Sequence, residues 1–113
     1  MKEIKAYIKQ NKLSDVTLAL HKVEGLTGMS VANVQGFGHI KAKKTHEGTN
    51  NDLEDFIPCA KIEIVCHDRI VDEIVSIIEK TAYTGLRGDG KIFISTVETA
   101  ICIETGERGD KAV

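Results

Sequence analysis

The same short pattern occurs twice in this chain, and it leaves few folds open. From Lys2 to Lys9 the sequence alternates, with Ile4, Ala6 and Ile8 on one face and Glu3 and Lys5 opposite. From Lys61 to Cys66 it alternates again, with Ile62, Ile64 and Cys66 on one side. Period two with one apolar face marks a half-buried strand. Each run leads into apolar residues at helical spacing. Leu13, Val16, Leu20 and Val23 follow the first, and Ile70, Val71, Ile74, Val75, Ile77 and Ile78 follow the second. Ser14 is placed to cap the first helix, with Asp15 at the positive end of its dipole, and Asp68 to cap the second. Gly25 stops the first helix. A strand from about Gly28 to Phe37 follows it, and Lys91 to Val97 reads as a fourth strand. Ala100 to Glu104 reads as a short fifth. The order β-α-β-β-α-β predicts an α+β, ferredoxin-like sandwich with both helices on one face of an antiparallel sheet.

At 113 residues the pattern fits a single domain, 1–113. The sheet face that the two helices leave uncovered is expected to be buried against further copies of the chain, most simply in a closed ring. Aromatic residues make up 4%, which argues against a platform for stacking RNA bases, and a net charge of -2 argues against non-specific nucleic-acid binding. Three cysteines, Cys59, Cys66 and Cys102, form no CxxC pair, which favours a reducing, intracellular compartment. The N-terminal MKEIKAYIKQNK is too charged for a secretory h-region. No apolar run approaches the roughly 20 residues that span a bilayer. The expectation is a soluble cytoplasmic protein.

Two segments depart from a minimal sandwich. The connection between Gly38 and Pro58 is far longer than a hairpin turn. It begins basic (Lys41, Lys43, Lys44) and ends acidic (Glu47, Asp52, Glu54, Asp55), with almost nothing apolar before Leu53. Such a segment cannot bury itself and is expected to be mobile when free. Its charge alone is equally that of a solvated insertion. The second segment is Thr84–Phe93, TGLRGDGKIF. Closely spaced glycines permit a nest of backbone amides for phosphate oxygens, with Lys91 alongside as a point charge and Asp89 fixing the turn. The same glycines equally suit a plain turn before a strand, and the spacing is not that of GxxxxGK[ST].

These residues carry a resemblance. TGLRGDGKIF, together with TGMSVANVQGFG at 27–38, DFIPCAKIEIV at 55–65 and T105-G-E107 in the tail, resembles the P-II nitrogen-regulatory signal-transduction proteins over nearly the whole chain. The resemblance implies trimers of ferredoxin-like subunits that bind adenine nucleotides (ATP, ADP or AMP) in clefts between neighbours. It also implies readout through a long T-loop, here 39–57, that acts on a membrane transporter or a metabolic enzyme. Gly36, Phe37 and Gly38 match the T-loop base, and Ser30 stands where a nucleotide-contacting threonine is usual. Glu63 and Val65 match the cleft-lining strand. Gly88, Asp89, Gly90 and Lys91 match the phosphate-binding B-loop, 84–91. Lys41, Lys43, Lys44, His46, Glu47 and Asp52 fall on the partner-binding loop.

The departures are specific. His39 and Ile40 replace an arginine and a glutamine, and Cys59 replaces a lysine, which removes the usual groups for magnesium and 2-oxoglutarate. In the C-terminal segment, 102–113, Cys102 and Glu104 replace two arginines that embrace phosphates. Asp52 stands where some members carry the tyrosine that is uridylylated. The resemblance thus implies a regulator without typical 2-oxoglutarate sensing or uridylylation.

His39, His46 and Cys59 keep a metal reading open, since neutral imidazole suits zinc or copper. The copper-tolerance family, trimeric and of the same fold, offers that alternative: a metal- or anion-responsive protein that does not use nucleotides. Cys66 and His67 are adjacent, so on a strand they point to opposite faces and chelate poorly. No Ser-His-Asp order, HExxH or Walker A motif is present, and Glu47 and Asp52 lie on a segment too long for the rigid placement that acid-base catalysis needs. Catalysis is not expected.

Overall fold

The structure is a computed structural model that describes residues 1–36 and 57–113. Four strands form one antiparallel sheet: β1 (Lys2–Lys9), β2 (Ser30–Gly36), β3 (Ile57–Cys66) and β4 (Gly90–Thr96), in the order β2-β3-β1-β4. Helices α1 (Leu13–Leu20) and α2 (Val71–Ala82) lie on one face. The α+β ferredoxin-like expectation holds.

The core follows from the alternation. Ile4, Ala6 and Ile8 of β1 and Ala60, Ile62, Ile64 and Cys66 of β3 are buried beneath Val16 and Leu20 of α1 and Ile74 and Ile78 of α2. Burial in this apolar layer pushes the Cys66 thiol up from its ordinary pKa. β3 begins four residues earlier than the alternation alone predicts, because Ile57–Ala60 continue the ladder with β2. Pro58 is tolerated there. β1 ends at Lys9, opposite Cys59, so at Pro58 the strand has a neighbour on one side only, an edge position of the kind where proline is found.

Both expected caps fail, for one reason. A 3-10 turn, Gln10–Lys12, leads into α1 and makes Lys12 the flanking residue, so Ser14 lies inside the helix and caps nothing. Another 3-10 turn, Asp68–Ile70, precedes α2, and Asp68 instead binds the Met1 ammonium at 3.0 Å. That hydrogen bond holds the Asp68 carboxyl below its usual pKa. α1 also ends at Leu20 rather than Val23. The chain tightens into a turn, with Val23 N–H donating to the Leu20 carbonyl at 3.0 Å, yet Val23 stays buried.

The fifth strand is the larger correction. Among the described residues Ala100–Glu104 joins no sheet, and its one ladder contact is the isolated pair Ile101 and Arg108. On the uncovered sheet face, alternation puts Glu3, Lys5, Lys61 and Glu63 beside Tyr7, Val65 and Phe93. Exposed large apolar side chains include Leu18 on α1, Tyr83 and Leu86 before β4, and Phe93, Ile101 and Ile103 on it or after it.

Candidate functional site

At the end of α2 the chain turns through Thr84–Asp89 before entering β4, and one carboxylate organises the turn. Asp89 accepts from the Thr84 amide at 2.7 Å, from the Thr84 hydroxyl, and from the Gly85 amide at 3.3 Å. The Lys9 ammonium lies 3.2 Å from the same carboxylate and 3.2 Å from the Thr84 hydroxyl oxygen. The Thr84 oxygen in turn accepts from the Leu86 amide at 3.0 Å. Gly85 and Gly88 take positive φ values of 82° and 81°, which makes the tight return possible. Asp89 therefore spends its oxygens on the loop itself, holding the shape in which Gly88, Gly90 and Lys91 are presented. Lys91 is exposed, and among the described residues no carboxylate lies within ion-pair range of it.

Those donors lower the Asp89 pKa from its ordinary 3.8 to about 2, with the Thr84 hydroxyl the largest cause. A depressed carboxylate stabilises the fold fully above its unfolded pKa and loses that contribution as pH falls through the folded one. Urea midpoints are thus expected to drop between about pH 4 and pH 2, and Asp89→Asn is expected to flatten that part of the profile. An unchanged slope in the variant would remove Asp89 as its source.

A second cluster lies toward the other end of the sheet. Ser30 pairs with Glu63, and Val65 with Glu3, so period two brings these side chains to the uncovered face. With Met29 and Ile101 they line an open cleft of ≈ 750 Å³. Gly36 ends β2 opposite Ile57, beside the Cys59 thiol.

One copy does not bring these groups to a single ligand. Gly90 stands opposite Ile8, and Val65 opposite Glu3, five residues along β1, a separation of roughly 17 Å. Gly36 is on the far edge strand from Gly90, three strand spacings or roughly 14 Å away. Phe37, Gly38, His39, Ile40, Lys41, Lys43, Lys44, His46, Glu47 and Asp52 lie outside the described residues. Among the described residues no three His, Cys, Asp or Glu side chains form a metal-binding group.

The family model for nitrogen regulatory protein P-II matches residues 1–107. The chain belongs to the P-II family. It is 49% identical to nitrogen regulatory protein P-II 1 of Escherichia coli K12 over 113 residues, covering all of both chains. It is 43% identical to nitrogen regulatory protein P-II of Rhodospirillum rubrum and 42% to that of Azospirillum brasilense, each again over all of both chains. P-II proteins are signal-transduction regulators. No helix among the described residues is long and apolar enough to cross a membrane.

In this P-II chain the substituted C-terminal positions sit on a tight hairpin. Cys102 N–H donates to the Glu107 carbonyl at 2.9 Å, and the Cys102 carbonyl accepts from Gly106 at 2.7 Å. Hydrogen bonding from the Thr105 side chain, then its amide, holds the Cys102 thiol below its ordinary pKa. Lys9 and Thr84 escaped the sequence reading. Thr84 carries a weak signal, a hydroxyl five residues before the aspartate of a glycine turn. Lys9 carries none, because it meets that turn from 75 residues away.

Proposed function

We propose that this P-II chain assembles as a homotrimer and binds an adenine nucleotide or similar small anion between copies. In this reading Gly88, Gly90 and Lys91 of one copy cradle phosphate, with Asp89 and Lys9 fixing the loop. Gly36 of that first copy lies at the same end of its sheet and forms the base, and Ser30, Glu63 and Val65 of the next copy line the opposite wall. The bound state passes, in the cytoplasm, to a membrane transporter or a metabolic enzyme through residues 39–57.

One observation carries the reading: the family-matched residues fall into two clusters that a single copy cannot present to one ligand. Two copies can. The chemistry of the B-loop fits an anion, since it offers one exposed ammonium beside a turn whose only carboxylate is already satisfied by donors. Glu3 and Glu63 on the other wall disfavour phosphate there and suit the donor groups of a base or ribose instead.

Isothermal titration calorimetry of ATP, ADP and AMP, with and without Mg²⁺, tests this directly. Micromolar binding is expected for at least one. Lys91→Ala is expected to weaken it about tenfold to a hundredfold, the loss of one charge-assisted hydrogen bond. Unchanged affinity in that variant would remove the phosphate site. No heat with any of the three would shift the reading to a metal or another anion.

A further inference from the structure

We propose that Arg87, at the apex of the B-loop, is a second anion-binding residue of this chain, gripping a terminal phosphate with its guanidinium alongside Lys91. The proposal rests on the B-loop as the anion site of the reading above and deepens it, by naming the group that the loop selects.

The loop is braced at its base and unspent at its tip. The Thr84 and Gly85 amides donate to Asp89, and the Leu86 amide donates to the Thr84 hydroxyl oxygen. Arg87 and Gly88 then form the middle of a turn, with Gly88 at φ 81°, in the positive range that the third residue of a type II turn requires. Among the described residues neither of their amides makes a hydrogen bond. Three successive donors serve the fold, and the next two meet no protein acceptor.

The charges divide in the same way. Lys9 neutralises Asp89 from β1, at 3.2 Å. Arg87 is exposed, and among the described residues its guanidinium meets no carboxylate. Lys91 is in the same state, which leaves Arg87 and Lys91 as the uncancelled charges of the loop. Four extended residues span at most roughly 14 Å, and the turn shortens that, so two long side chains reach one anion lying along the tip.

The side chain sets the ligand class. A guanidinium is a planar fork that holds two oxygens of one phosphate at once, which an ammonium cannot do. A terminal phosphate offers those oxygens and close to two negative charges, matched by two cations. A cyclic phosphodiester carries half that charge, and a nucleoside carries none. The loop is therefore selective for a terminal phosphate, and AMP is preferred over 3′,5′-cyclic AMP.

Isothermal titration calorimetry of the full chain with ATP, AMP, 3′,5′-cyclic AMP and inorganic pyrophosphate tests the proposal. Arg87→Ala is expected to weaken about tenfold or more each of ATP, AMP and pyrophosphate that the unaltered chain binds, with an unchanged urea midpoint. Arg87→Lys keeps the charge and loses the fork, so it is expected to recover binding only in part. Arg69→Ala, the same loss of charge at the other end of α2, is expected to change nothing. Contact is read directly by nitrogen-15 NMR. The chain has three arginines, Arg69, Arg87 and Arg108, and the Arg87 Nε–H signal is expected to shift on saturation with the nucleotide. Unchanged affinity in Arg87→Ala, full rescue by Arg87→Lys, an unmoved Nε–H signal, or cyclic AMP bound as tightly as AMP would overturn the proposal. Nucleotide binding lost in Lys91→Ala but kept in Arg87→Ala removes Arg87 alone. Pyrophosphate binding that needs Arg87, in a chain that binds no nucleotide, removes the nucleotide reading alone. No binding of any of them removes both.

Discussion

Gly90→Ala is expected to yield little or no folded protein. At φ +112° the backbone of Gly90 is in a region that side chains rarely adopt, and a Cβ there would overlap the Tyr7 carbonyl oxygen and stand 2.8 Å from its carbon. The obstacle is backbone of the adjoining strand, opposite which Gly90 is registered at Ile8, so no rotamer change relieves it. Either β4 moves off β1 or the ladder breaks. A cost above about 4 kcal/mol is expected, against a total of about 5–15 kcal/mol for a domain of ordinary stability. Gly28→Ala is the control, since a Cβ there meets nothing within 4 Å. Urea denaturation of both decides it: a Gly90→Ala midpoint near that of the unaltered chain would mean that β4 enters the sheet differently.

That result bears on what the B-loop is. GDGK reads in the sequence as a phosphate nest, and the same letters do a second task in the fold. Gly90 lets β4 dock against β1, Asp89 closes the turn onto Thr84, and Lys9 ties both to β1. Of the four matched residues, Lys91 is the one whose side chain is left for a ligand. Motif resemblance alone cannot divide the letters in this way, because closing a turn and holding phosphate both call for glycines and a charged residue.

The strands and their core were legible because alternation is local: Ile4, Ala6 and Ile8 declare their face within one strand. The helix starts were not. Ser14 and Asp68 have the right side chains for capping, but 3-10 lead-ins shift each helix frame, and the positions of those turns depend on tertiary packing that short-range rules do not see. Lys9 meeting Thr84 was invisible for the same reason at longer range. Ala100–Glu104 shows a different limit. Its apolar residues suggest a strand, but a strand is completed by an edge, and the described residues offer that segment only the isolated pair with Arg108.

Two isoleucines put that distinction to measurement. Ile62 is fully buried in β3, with β1 and β2 on either side and the helices above it. Ile62→Ala removes buried methylenes and leaves a cavity between strands that cannot collapse, at an expected cost of about 2–5 kcal/mol. With a urea dependence of about 1–3 kcal/mol per molar, the midpoint falls by about 1 M or more at every protein concentration. Ile103 has the same side chain almost wholly in solvent. Within a single copy Ile103→Ala is expected to stay within about 0.5 kcal/mol of the unaltered chain. If association between copies covers its side chain, the loss emerges only where copies associate, because assembly stabilises the folded state by mass action. Midpoints of the two variants measured against protein concentration therefore separate a residue that folds the subunit from one that joins it to the next.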